Sequence, residues 1–364
     1  MFSMELALVA IALFLAFSNG ANDNFKGFAT VWGSDTLSYR QALILATLAT
    51  LAGSVASWLL ADNLIQQFSG RGLVPNAVAS SPAFITSVAC GAAMTVFLAT
   101  RLGFPISTTH ALIGGLIGAG LGQTGSHVDF NKLWQAFFVP LLISPFIAAS
   151  LGLALYKIIA MRKSKNDCAC LVETTPMRLT STNTAMLGTT MTTMPTLLIS
   201  DKASCDSINT QASFSISNLL KKIHIGSGAT ICFARAVNDT PKLAALLFAA
   251  QFTNSKLPIA LVGLLMAFGG LVFAKKVATT MSQKVTRLDD TQGLAANLIT
   301  ASLVLLASKF GLPVSTTHVS VGALAGVGAS AGTLNWQTLR SILLSWLATL
   351  PLALVIAWTV SKLL

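Results

Sequence analysis

An eight-residue string occurs twice in this chain. Gly103-Phe-Pro-Ile-Ser-Thr-Thr-His110 returns as Gly311-Leu-Pro-Val-Ser-Thr-Thr-His318, with six identities in eight. The match runs on through Gly114, Leu116, Gly118 and Gly120 onto Gly322, Leu324, Gly326 and Gly328. Two further pairs keep the same order: Asn22-Asp23 with Lys26 against Asn238-Asp239 with Lys242, and Trp134-Gln135 against Trp336-Gln337. Matched strings in a fixed order mark an internal duplication. The chain must therefore build its fold from two related halves.

Each half holds five apolar segments, near 4–31, 41–61, 80–100, 104–122 and 133–158, then 223–250, 256–274, 292–309, 312–330 and 337–363. The longer ones reach the ~20 apolar residues a bilayer span needs, and helices satisfy their own backbone in lipid. Composition agrees: 54% of residues are hydrophobic, 10% are charged and mean hydropathy is +0.73, against about 25% charged in soluble domains. A disordered chain, a disulfide scaffold and an ordinary soluble enzyme are excluded. The expected fold class is an all-α integral membrane protein of two repeats. An odd number of segments per half predicts inverted topology. The fourth segment of each half is short and polar at its start, and reads as one arm of a helical hairpin with its predecessor.

The halves comprise 1–160 and 223–364. Between them, 161–222 is polar, Thr-rich and basic, and reads as a cytoplasmic linker. The net charge of +11 follows from loop lysines and arginines on that side, with no aromatic-interleaved stripe for nucleic acid. Cys168 and Cys170 form a lone C-x-C, read as reduced thiols in a loop rather than a metal site. The first 22 residues lack a basic start and carry Glu5, so they read as a retained first span and not a cleaved signal.

Ionised groups at mid-membrane are costly and tend to be functional. Asp23 and Asp239 follow apolar runs at matched points of the repeats, each preceded by an Asn and followed three residues later by a Lys. Ser18-Asn19-Gly20-Ala-Asn22-Asp23 predicts a break in the first helix. In the second half, Asp239-Thr240-Pro241 predicts a cap followed by proline at the first helical position. Pro105 and Pro313 disfavour helix before them, so Ser107 and Ser315 are expected to cap new helices. A helix N-terminus carrying hydroxyls (Ser107, Thr108 and Thr109; Ser315, Thr316 and Thr317) is a ready anion site. His110 and His318 read as hydrogen-bond supports. Gly114-x-x-x-Gly118 and Gly322-x-x-x-Gly326 allow close helix packing.

Two such helix ends facing each other suit a tetrahedral oxyanion. A divalent anion beside two carboxylates, even with Lys26 and Lys242, leaves negative charge that calls for accompanying cations, Na⁺ or H⁺. That points to symport. An anion channel needs weak sites strung along a pore, and an enzyme needs a nucleophile–base constellation or a metal cage; neither pattern is present.

The doubled Asn-Asp signatures, the polar central loop and the paired G-x-P-x-S-T-T-H hairpins resemble the inorganic phosphate transporter (PiT) family over all but 161–222. The resemblance implies an inverted-repeat helical bundle in the cell membrane, dimeric, without cofactors, importing phosphate with Na⁺ or H⁺ by alternating access. It implies cation coordination by Asn22, Asp23, Asn238 and Asp239, with Asp23 and Asp239 as Na⁺ ligands. Phosphate falls to the Ser and Thr positions, joined here by Lys26 and Lys242. Sulfate or another tetrahedral oxyanion is the alternative cargo. The family signature continues Asn-Asp-Val-Ala-Asn, whereas here Lys26 and Lys242 stand where the last Asn would be. A fixed positive charge replaces a neutral group, which favours H⁺ coupling or a metal–phosphate substrate. Arg235-Ala-Val also opens the second copy where the family has glycine.

Overall fold

A computed structural model describes residues 2–60, 62–125, 127–161, 168–174, 194–200, 210–249 and 257–364. They form two units, 1–157 with 224–364, and 158–223.

The larger unit is helical. In the first half, α1 (Phe2–Asp23), a short α2 (Ala29–Gly33), α3 (Tyr39–Leu60), α4 (Pro82–Leu102), α5 (Thr108–Thr124) and α6 (Val139–Met161) follow one another. In the second, α7 (Ile216–Ala249), α8 (Leu257–Phe273), α9 (Asp290–Lys309), α10 (Thr316–Ala331) and α11 (Trp336–Leu363) repeat the pattern. Among the described residues six helices are long and apolar enough to cross a membrane, and a bent pair, Leu257–Phe273 with Lys275–Lys284 at 68°, makes a seventh. Leu48, Val55 and Leu59 of α3, Phe146 of α6 and Leu347 of α11 are exposed, an apolar outer face suited to lipid rather than water.

Local sequence sets the hairpins. Ser81 caps α4, accepting from Phe84 N with Pro82 at the first helical position, where a missing N–H costs nothing. Gly103 stops the helix at φ +83°, a left-handed conformation that glycine adopts freely. Residues 104–107 then run without helical structure to Ser107, whose Oγ accepts from His110 N at 3.1 Å and starts α5. The second half repeats this: Asp289 and Gln292 form a capping box on α9, Gly311 has φ +67°, and Ser315 accepts from His318 N at 3.2 Å. The serine caps stand where the sequence places them.

The small-residue stripes bring backbones together across the halves. A Cβ on Gly118 would lie 2.1 Å from Leu354 O of α11, and one on Gly326 2.0 Å from Ala149 O of α6. Thus α5 packs on α11, and α10 on α6.

Three expectations need correction. The first helix breaks later than expected: α1 is helical through Asp23, and the interruption is a turn at Asn24 and Phe25 followed by a 3₁₀ segment, Lys26–Phe28. Asn19 and Asn22 do not unwind α1, because their side chains bond Thr108 and Thr100 instead of competing for their own backbone. The break packs against α7, where a Cβ on Gly27 would stand 2.5 Å from Gly228 O. In the second half there is no break at Asp239: α7 is continuous with Pro241 inside it. Proline removes one helix bond, yet the helix runs on, its flanking side chains anchored on other helices: Asn238 donates to Ser308 Oγ at 2.8 Å and Thr240 to Ser54 Oγ at 2.9 Å. The Asp239 carboxylate turns to Lys242 and Arg235 and so does not serve as a cap.

The third correction concerns the smaller unit. It is not all helix and linker: β1 (Cys168–Thr174) pairs antiparallel with β2 (Met194–Ser200) on one side and β3 (Thr210–Ser215) on the other. Threonine and the apolar Leu197-Leu198-Ile199 run suit strands. Cys168 and Cys170 lie two apart on β1 and are both buried, not in a loop. Most of the Thr-rich stretch between β1 and β2 lies outside the described residues.

Candidate functional site: a buried charge cluster between the halves

The end of α1 and the middle of α7 meet the starts of α5 and α10, and the five acidic and basic side chains there are sealed from solvent. Asp23, Lys26, Arg235, Asp239 and Lys242 are each at most 4% exposed. Charges so placed persist only when paired, and here the pairing has a two-fold plan.

Lys26 Nζ contacts Asp23 Oδ1 and lies 3.1 Å from Asn22 Oδ1, 3.1 Å from Ile106 O and 2.5 Å from Thr317 Oγ1. Lys242 Nζ contacts Asn238 Oδ1 and lies 3.2 Å from Asp239 Oδ1, 2.9 Å from Val314 O and 3.0 Å from Thr109 Oγ1. The two sets correspond atom for atom. Each ammonium takes a carboxylate and an amide oxygen from its own Asn-Asp pair. To these come the carbonyl before its own hairpin serine and a threonine hydroxyl from the opposite half. The hydroxyls complete the exchange: Thr317 donates to Ile106 O at 2.7 Å and Thr109 to Val314 O at 3.3 Å. The asparagines are held from behind by matched hydroxyls, Asn22 by Thr100 at 2.9 Å and Asn238 by Ser308 at 2.8 Å.

One pair breaks the symmetry. Asn19 and Arg235 each lie four residues before their aspartate, and they touch. Asn19 Nδ2 donates to Thr108 Oγ1 at 2.9 Å and reaches Asp23 Oδ2 at 3.4 Å and Asp239 Oδ2 at 3.5 Å. Arg235 holds Thr50 Oγ1 at 2.9 Å and lies 3.8 Å from Asp239 Oδ2. Its Nε has no hydrogen-bond partner among the described residues. The sequence pattern marks both residues without giving either a role; their equal spacing from the two aspartates is the signal that could have found them.

Of the residues singled out from sequence, the structure brings Asn22, Asp23, Lys26, Asn238, Asp239, Lys242, Thr108, Thr109 and Thr317 into this one cluster. Ser107 and Ser315 are adjacent, their hydroxyls engaged as caps, and Thr316 is buried beside Thr317. His110 and His318 pack edge to face, with ring centroids 4.4 Å apart. His318 also lies over Trp346 at 3.9 Å, whose indole donates to Pro105 O at 3.0 Å. His318 Nδ1 lies 3.4 Å from Leu141 O, while His110 Nδ1 and His318 Nε2 have no hydrogen-bond partner among the described residues, so the pair is held more by ring packing than by hydrogen bonds. A second buried network has no counterpart among the sequence expectations: His224 bonds Asp290 Oδ1 and Thr30 Oγ1, each at 2.9 Å, and Thr30 bonds Asn297 at 3.0 Å.

A sealed, paired set of charges thus stands at two hydroxyl-bearing helix starts, among apolar helices. The sequence profile described as the phosphate transporter family matches residues 19–357. The chain belongs to the phosphate transporter family. Its members are transporters, not enzymes. A Pyrococcus furiosus protein described as a phosphate permease is 26% identical over 98% of this chain and 95% of its own length. The chloroplastic inorganic phosphate transporter 2-1 of Arabidopsis thaliana is 26% identical over 99% of this chain and 73% of its own length. A solved structure titled as the sodium-dependent phosphate transporter superposes with a TM-score of 0.78 over 99% of this chain and 98% of its own, at 22% identity. At that identity the likeness shows a shared fold.

Proposed function

We infer that this protein is a secondary transporter that imports inorganic phosphate together with a cation, by alternating access to the cluster between its two inverted halves. Family membership supports the cargo. The observation that carries the site is the two-fold exchange in which Lys26 of one half holds Thr317 of the other and Lys242 holds Thr109.

The chemistry follows from the parts. The N-termini of α5 and α10 present main-chain donors and a favourable dipole to an anion, and Lys26, Lys242 and Arg235 add full positive charge. Asp23 and Asp239 keep those cations ordered and set the charge that must enter or leave with the substrate. In the sealed arrangement the hydroxyls of Thr108, Thr109 and Thr317 are occupied by protein partners. Admitting phosphate therefore means exchanging contacts between the halves for contacts to substrate. Rocking one half against the other opens those contacts on one side at a time, as repeat-built transporters do. The working assembly is a homodimer in the cell membrane with 161–222 on the cytoplasmic side.

Sulfate is the second reading, since a helix start also accepts it. Phosphate can donate a hydrogen bond and fully ionised sulfate cannot, so a carboxylate oxygen released to the anion when the cluster opens would favour phosphate. The test is uptake of radiolabelled phosphate and sulfate into proteoliposomes under separately imposed Na⁺ and pH gradients. Saturable phosphate uptake driven by either gradient supports this function. Uptake of sulfate alone, or of neither anion, overturns it.

A further inference from the structure

We propose that Lys26 and Lys242 are tethered cations, filling from within the two oxygen cages that an ion would otherwise occupy, so that phosphate transport by this protein does not require Na⁺. The proposal rests on the transport reading above and concerns the coupling of that same site.

The cages are the first argument. Around each ammonium stand a carboxylate oxygen, an amide oxygen, a main-chain carbonyl and a threonine hydroxyl, drawn from both halves. All-oxygen sets mixing carboxylate and carbonyl are what hard cations take. An ammonium has only three N–H donors, so four acceptors exceed what one lysine uses in linear hydrogen bonds. The oxygens converge on a point charge, and the lysine supplies it. A mobile cation could enter either cage only by displacing Nζ from its carboxylate, which would leave two positive charges competing for the same oxygens.

The charge count is the second argument. Two carboxylates face three fixed cations once Arg235 is included, so the cluster carries one formal positive charge before any ion binds. A monovalent anion neutralises it, and a divalent one leaves a single negative charge, which one proton on the substrate removes. No metal cation is needed. Arg235 also lies beside Asp239 with its Nε unpartnered among the described residues, so a donor remains for the anion after the carboxylates are satisfied.

The third argument is placement. The positive charge in each cage is covalently attached three residues after its aspartate, on both halves. Such a charge cannot dissociate into the cytoplasm, so it cannot couple a cation gradient to uptake. The proton is the cation left to couple, and the pH gradient drives the cycle.

The experiment measures initial uptake of radiolabelled inorganic phosphate by the full chain in proteoliposomes, under one fixed pH gradient, in media with Na⁺ and with Na⁺ wholly replaced by N-methylglucamine. Equal rates in the two media are expected. A loss of about fivefold or more without Na⁺, the lower edge of ordinary coupling between sites, overturns the proposal and leaves the transport reading standing. Absence of phosphate uptake in every medium overturns both. The variants Lys26→Asn and Lys242→Asn empty one cage each. Any uptake they retain is expected to become Na⁺-dependent by about fivefold or more, and uptake that stays indifferent to Na⁺ contradicts the tethered charge. Where a variant fails to insert, the wild-type comparison decides alone.

Discussion

Arg235 Nη1 donates to Asn19 Oδ1 at 3.1 Å, and the two residues hold the same position in the two repeats. At this matched position one half carries an amide and the other a guanidinium, and the two bond each other across the cluster. The asymmetry supplies the positive charge that the paired Asp and Lys residues, by themselves balanced, do not.

Arg235 therefore bears on affinity. Arg235→Gln keeps hydrogen-bonding capacity toward Asn19 and removes the charge. The apparent KM for phosphate should rise about tenfold or more, in line with a charged hydrogen bond worth roughly 1.5–3 kcal/mol, while the purified protein keeps its elution profile in detergent. An unchanged KM would remove Arg235 from the site.

The buried pairs bear on stability in a way that separates pairing from simple bulk. Asp23→Asn leaves the Lys26 ammonium buried beside a neutral partner, and losing one member of such a pair costs about 3–5 kcal/mol. Asp23→Asn with Lys26→Met removes both charges and should be the more stable of the two. Thermal unfolding in detergent ranks them. A double variant melting below the single one would contradict the pairing.

Close helix approach makes a third prediction. Gly118→Val or Gly326→Val drives a side chain into the backbone oxygens of Leu354 or Ala149, and overpacking of this kind costs about 1–3 kcal/mol or more. A methyl group on Gly226 of α7 would meet nothing within 4 Å, so Gly226→Ala should be neutral or stabilising by up to ~1 kcal/mol. Melting temperatures test the contrast.

The serine caps make a fourth. Ser107→Ala or Ser315→Ala leaves the His110 or His318 amide without its acceptor, at about 0.5–2 kcal/mol, and loosens the helix start that the proposed function turns toward substrate. Phosphate KM should rise, whereas Cys168→Ala, in the other unit, should leave uptake kinetics as they are. Equal effects at the two places would argue against the hairpin site.

Much of this was legible in the sequence because the duplication repeats it. Matched aspartates, hairpin serines and glycine stripes could be paired by eye, and the caps at Ser107 and Ser315 follow from a proline two residues earlier. The helix breaks were less legible. Asn19 and Asn22 are poor helix formers in isolation, yet both bond residues of the α4–α5 hairpin some eighty positions away, and a local pattern holds no record of that. Pro241 misled for the same reason, since Ser54 and Ser308 secure its neighbours from other helices. The division of labour among the hydroxyls was also hidden. Ser107 and Thr109 look alike as ligands in a string, but one faces along its own helix and the other across to Val314. The strands β1 to β3 pair segments separated by long stretches, and a threonine-rich composition alone does not fix a register.

The proposed function places phosphate binding and carriage at the Asp23–Lys26 and Asp239–Lys242 cluster. Phosphate uptake by proteoliposomes holding Asp23→Asn or Asp239→Asn, normalised to inserted protein, tests it most directly. Uptake at the level of empty liposomes is the expected result for both variants; a wild-type rate in either would contradict the account.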